Sequence, residues 1–177
     1  MAVELTKSVI AATMDTVLDD ATQTVAGVSG FVKTGEGLPT LSTTLTNGTG
    51  NQQGNQAYAQ LYTIAAGANA DIDLNSGSIL GLVNAVASFT KIKKIVVAIK
   101  DHDGTKKVRV GPQGVTNGAQ LWFGGTGATC YEEVVEWTVK VNSYGGWTVT
   151  AGTGDILRIN NPTAGSVDVY IAIVGLS

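Results

Sequence analysis

The stretch Gly145–Ser177, GGWTVTAGTGDILRINNPTAGSVDVYIAIVGLS, decides the fold. Three short apolar runs alternate with loops rich in Gly, Thr and Asn. In the last run Val167, Val169, Ile171 and Ile173 share one face, and Asp168, Tyr170, Ala172 and Val174 share the other. A period of two is the pattern of a strand with a buried face. The middle run sets Leu157 and Ile159 against Ile156 and Arg158. The first alternates Trp147 and Val149 with Thr148 and Thr150. Gly152 and Gly154 supply a turn between the first two runs, and Asn160–Gly165 supplies the next. The last strand is expected to tie the terminus into a sheet, with the preceding chain supplying its neighbours.

Upstream, the same rhythm recurs. Ala57–Ile64 places Tyr58, Gln60, Tyr62 and Ile64 on one face. After a turn at Ala65–Gly67, Ala70, Ile72 and Leu74 alternate with Asp71 and Asp73. Lys91–Lys100 is apolar on both faces and predicts a central strand covered on both sides. Asp101-His102-Asp103-Gly104 followed by Lys107–Val110 predicts a tight hairpin. Ala119–Phe123 is a short aromatic run. Glu132–Asn142 reads as one strand, with Val135, Trp137, Val139 and Val141 inward and Glu136, Thr138, Lys140 and Asn142 outward. Leu38–Leu45 suits an extended segment, Asn47–Asn55 a loop, and Ser78–Val86 one or two helical turns or a short strand. Eight or nine strands spaced by turn signals predict an all-β antiparallel sandwich, jelly-roll-like in strand count.

The 177 residues predict one domain or a domain with an arm. Residues 36–177 form the expected sandwich, and residues 1–35 an N-terminal arm or lead-in segment. In that segment Ile10, Met14, Val17 and Leu18 fit a helical stripe, while Val9, Thr13, Thr16, Thr22, Thr24 and Val25 favour extended chain. It either lies on a neighbouring subunit or packs on the domain's own body. Charged residues make up only 14%, and the net charge is −3. No basic patch points to nucleic acid, no apolar run is long enough to span a membrane as a helix, and no secretory signal is recognisable. The lone Cys130 has no partner for a disulfide within the chain.

No constellation predicts catalysis, a cofactor or a metal centre. Histidine-rich metal sites and Ser-His-Asp triads both need His102, the one histidine. Its setting between Asp101 and Asp103 reads as a solvated turn. Cys130 has no evident base beside it and reads as a small packed residue. Asp71 and Asp73 share a face that could take calcium, but a solvated outer face is the simpler reading. Gly48-Thr49-Gly50 and Gly124–Gly127 lack the lysine and the spacing of phosphate loops. Trp137 and Trp147 occupy positions read as inward, and Trp122 is ambiguous.

The segments TLTNGTGNQQGNQAY, FTKIKKIVVAIKD and GWTVTAGTGDILRINNPTAGSVDVYIAIVGLS resemble a family of small structural proteins of tailed bacteriophages. The resemblance covers roughly residues 44–177 and rests on the order of the segments. The run Gly124–Asn142, with Cys130-Tyr131-Glu132-Glu133, departs from it. The resemblance implies a virion protein made in the host cytoplasm, foremost a jelly-roll-like capsid decoration (cement) protein. Its implied partners are the major capsid protein and itself, as a homotrimer. It implies no enzyme activity and transfers no catalytic residue. The alternative is a tail-associated adhesin or carbohydrate-binding β-sandwich module; a small β-sandwich enzyme fits less well.

Overall fold

A computed structural model describes residues 45–77, 79, 80, 86–125 and 130–177. The elements are β1 (Thr46–Asn47), β2 (Gln53–Gly54), β3 (Gln56–Ile64), β4 (Asn69–Asp73), β5 (Ile79–Leu80), β6 (Val86–Ala87), β7 (Lys91–Ile99), β8 (Val108–Pro112), β9 (Glu132–Val134), β10 (Trp137–Val141), β11 (Trp147–Thr148), β12 (Ile156–Asn160) and β13 (Val167–Leu176). The described residues contain no helix.

Two antiparallel sheets pack face to face. Sheet I runs β10-β7-β13-β3, with β11 also on β7, and sheet II runs β4-β12-β8-β9. The pairing is nested: β3 with β13, β4 with β12, β7 with β10, and β8 with β9. The chain therefore behaves as a long hairpin rolled into two layers, the jelly-roll arrangement expected from the strand count. The final strand is the hub of sheet I, since it pairs with both β3 and β7.

The core lies between the layers. Val167, Val169, Ile171 and Ile173 of β13 and Ile92, Ile95, Val97 and Ile99 of β7 meet Ile72, Val108, Val110, Leu157 and Ile159 of sheet II. Each such side chain contributes about 1.5–3 kcal/mol by leaving water. Near the end of sheet I the register of β13 against β7 shifts at Val174/Gly175. There the backbone approaches closely: a Cβ on Gly175 would stand 2.1 Å from the Lys91 carbonyl oxygen. Only glycine fits that point.

Two sequence expectations are corrected. The turn Asp101–Gly104 does not close a hairpin, because β7 lies in sheet I and β8 in sheet II. It is an arch between layers, with Asp101 at φ 52° and Gly104 at φ 82°. Glu132–Asn142 is not one strand either. It splits at Val135–Glu136 into β9 of sheet II and β10 of sheet I. Changing sheets reverses which positions face inward. Val134 is buried, whereas Val135, Trp137 and Val141 are exposed. The period of two located the apolar face of β10 correctly, but that face is the outside of sheet I.

Ala119–Phe123 forms no strand, although Leu121, Trp122 and Phe123 pack against the core. The ends of the Ser78–Val86 run pair as β5 and β6. The stretch expected as a loop at Asn47–Asn55 contains a short parallel ribbon of β1 and β2. The segment 1–35, with its helical or extended alternatives, lies outside the described residues.

Candidate functional site

The outer faces of the two sheets differ sharply in chemistry. On sheet I, register pairing lines up Trp137, Ala98, Tyr170 and Leu61 across four strands. The next rows are Val139-Val96-Ala172-Ala59 and Val141-Lys94-Val174-Ala57. Lys94 is the one charged residue in these three rows. At its end of the face, Gly54 lies against Val174, and a Cβ there would sit 2.7 Å from Val174 Cγ1. Gln52 N donates to Ser143 O at 2.7 Å and Asn55 N to Gly175 O at 3.0 Å, fixing this cover. The other end is open: Leu61 is 38% exposed, Trp137 39% and Tyr170 49%. Exposed apolar and aromatic side chains gathered in one row make this end of the face a candidate contact surface.

Lys93 and Lys94 are both buried beside the covered end. Lys93 Nζ donates to the carbonyls of Ser143 at 3.1 Å and Tyr144 at 2.6 Å. Burial pulls the Lys93 ammonium below the usual lysine range, and the nearby Lys91 charge adds to this. Burial lowers Lys94 in the same direction.

The outer face of sheet II is polar. Arg158 on β12 pairs bidentately with Asp71 on β4, with Nε to Oδ1 and Nη2 to Oδ2 both at 2.7 Å. Asn160 Nδ2 donates to Asn69 Oδ1 at 2.8 Å and to Ala68 O at 3.3 Å. The Arg109 guanidinium lies over the Tyr131 ring, 4.7 Å from its centroid. The chain at Cys130–Tyr131 crosses so close to β8 that a Cβ on Gly111 would meet Cys130 O at 2.6 Å. These groups surround a depression of about 230 Å³, lined by Asn69, Arg109, Gly111, Pro112, Gln113, Cys130, Tyr131, Arg158 and Asn160.

A third polar cluster closes the edge between the sheets. Glu132 accepts from Trp122 Nε1 and Thr138 Oγ1, each at 2.8 Å, and pairs with Lys140 at 2.8 Å. Burial pushes its carboxyl up, but the bonds from Lys140, Thr138 and Trp122 outweigh that and hold it below the usual range.

The residues singled out from sequence are not brought together. Asp101, His102 and Asp103 sit in an exposed arch. Asp103 Oδ1 accepts from Thr105 N and Oγ1 and from Lys106 N, and these bonds, led by the Thr105 hydroxyl, hold its carboxyl at about 2. Asp71 is committed to Arg158, and Asp73 Oδ1 accepts from Asn75 N at 3.1 Å and Ser76 N at 2.9 Å. Among the described residues no three His, Cys, Asp or Glu side chains gather as metal ligands. Trp147 packs against the core and lies 5.5 Å from Trp122, ring centroid to centroid. Sequence reading missed the Arg109–Tyr131 depression and the open row on sheet I. The first joins four separate segments. In the second, the alternation sets Tyr170 on the face opposite Val167, Val169, Ile171 and Ile173 but reads Trp137 as inward. Comparison of the chain with protein-family models, curated proteins and solved structures finds no match to any of them.

Proposed function

We propose that this chain is a structural protein of a bacteriophage virion, a capsid decoration protein that stabilises the head by binding the major capsid protein. The observation that carries the reading is the open apolar row Trp137-Ala98-Tyr170-Leu61 on a rigid two-layer scaffold. Association through such a surface removes apolar area from water, and large aromatic side chains are the ones that dominate binding energy at interfaces. The resemblance of residues 44–177 to small phage structural proteins supplies the partner. The homotrimer and the capsid-surface location belong to the same proposal and rest on the resemblance alone.

Quantitative mass spectrometry of purified particles tests the reading. A decoration protein is recovered at high copy number in fixed ratio to the major capsid protein, and purified protein rebinds stripped capsids. Recovery with tails at a few copies per particle favours the adhesin alternative. Absence from particles removes both. The polar depression on sheet II is the feature that speaks for ligand recognition, and it lies on the opposite outer face.

A further inference from the structure

We propose that the depression on the outer face of sheet II binds a carboxylate-bearing sugar. Two arginines, Arg109 and Arg158, line it together with the amides of Asn69, Gln113 and Asn160, and among the described residues no acidic side chain does. Asp71 and Glu133 pair with the two guanidiniums from outside the depression, so what the site concentrates is hydrogen-bond donors on charge-balanced arginines.

The donors are only partly used. Arg158 directs Nε and Nη2 to Asp71, which leaves Nη1 without a partner among the described residues. Arg109 Nε stands 3.8 Å from Glu133 Oε2, an ion pair too long to be a hydrogen bond, while Glu133 Oε1 accepts from Lys107 at 3.2 Å. Its Nε is buried and makes no hydrogen bond, so a ligand would have to be met by the terminal nitrogens of the same guanidinium. A guanidinium that is held in place but not saturated matches the planar, two-oxygen geometry of a carboxylate. Asn160 uses its amide nitrogen on Ala68 and Asn69, so its oxygen and the Asn69 nitrogen remain for a ligand that both donates and accepts. Vicinal hydroxyls have that character.

Size and wall decide between a bare carboxylate and a sugar acid. A volume of about 230 Å³ is roughly eight water volumes, which acetate would leave mostly filled with solvent. Tyr131 forms an aromatic wall, fixed on one side by the Arg109 guanidinium. Gly111 is required for the wall to approach β8, so the depression is a built feature of the sheet.

Titration of the full-length protein followed by amide NMR tests the site, with glucuronate as probe and glucose, acetate and inorganic phosphate as comparisons. Glucuronate is expected to shift the Gly111, Gln113 and Tyr131 amides saturably, with an affinity about tenfold or more above each comparison. Arg109→Gln and Tyr131→Ala are each expected to weaken it by about fivefold or more, with the remaining spectrum unchanged. Equal response to glucose overturns the role of the carboxylate. Equal response to acetate or phosphate overturns the sugar. No saturable shift with glucuronate overturns the site. None of these results bears on capsid binding through sheet I, so the two proposals fail separately.

Discussion

Glu132 and Lys140 form a 2.8 Å ion pair that joins the two sheets, because Glu132 stands on β9 of sheet II and Lys140 on β10 of sheet I. The chain leaves one layer for the other between them, and the bridge closes the gap. Trp122 and Thr138 complete the shell of donors around the same carboxylate.

Glu132→Gln is therefore expected to destabilise the fold by about 1–3 kcal/mol at pH 7, since it removes the charge from several hydrogen bonds at once. The pH dependence follows from the depressed carboxyl. A carboxyl held below its unfolded value contributes stability that is present above the unfolded pKa and is lost as pH falls through the folded one. Urea unfolding at pH 7 and in the acid range checks this: the gap between wild type and Glu132→Gln should narrow on acidification. A constant gap would assign the effect to packing.

Asn161 offers a second test. It is buried, and its Nδ2 donates to Ile64 O at 2.9 Å, Ala65 O at 3.1 Å and Gly165 O at 2.8 Å. Its Oδ1 accepts from Thr163 N at 2.9 Å and Thr163 Oγ1 at 2.6 Å. One side chain thus ties the β3–β4 turn to the β12–β13 loop. Asn161→Ala strands several of these groups away from water and is expected to cost about 2–4 kcal/mol. Asn161→Asp keeps the acceptor and loses the donors, so it should be no better than alanine. A loss below about 1 kcal/mol in Asn161→Ala would show that water replaces the network.

Much of the sandwich was legible in the sequence because strands announce themselves by a period of two. The faces of β3, β4, β12 and β13 follow the alternation, whereas Lys91–Lys100, expected to be covered on both sides, buries Ile95, Val97 and Ile99 on its inner face and leaves Val96 and Ala98 partly exposed on the outer one. Sheet membership was not legible. Asp101–Gly104 has hairpin chemistry but serves as an arch, because nested pairing commits β7 to β10 and β8 to β9. In the same way Val135–Glu136 carries no turn residue to mark the change of layer, so Trp137 was placed on the wrong side. Alternation says which face is apolar, and only the partner sheet says which face is inside. The site residues around Arg109 are brought together by long-range pairing, which no local pattern encodes.

Tyr58 and Tyr62 predict an alkaline limb. The Tyr58 hydroxyl bonds to Tyr62 and to Gln60 Oε1, the latter at 2.8 Å. Burial, helped by the neighbouring Tyr62, pushes the Tyr58 phenol well above the ordinary tyrosine range, and burial also raises Tyr62. A raised folded value gives stability that is complete below the unfolded pKa of about 10 and is lost as pH rises toward the folded one. Lys93 and Lys94 act with the opposite sign, since their lowered values relieve a penalty as pH rises toward about 10.4. Above that point the tyrosines dominate, and thermal unfolding should fall steeply. Tyr58→Phe should lower stability at neutral pH and flatten the limb. An equally steep limb in the variant would move the origin elsewhere.

Trp137 and Tyr170 both pair in register with Ala98, so they stand on either side of a methyl group on the outer face of sheet I. Strand spacing sets the two about 10 Å apart, and the small residue between them leaves a trough that can accept an apolar side chain. The exposure of both rings separates their roles in folding and in binding. Trp137→Ala should cost about 1 kcal/mol or less of fold stability, well short of the roughly 3–5 kcal/mol lost when a buried ring is removed. Under the capsid-binding proposal, Ala98→Asp and Tyr170→Asp should weaken rebinding to stripped capsids by about 30-fold or more, which corresponds to roughly 2 kcal/mol or more at an interface centre. Val115→Asp, at a residue 75% exposed and outside this face, serves as the control for added charge. If Ala98→Asp and Tyr170→Asp rebind as tightly as wild type while the control also binds, the row is not the docking surface. If all three variants fail equally, the loss reflects the added negative charge and not the trough.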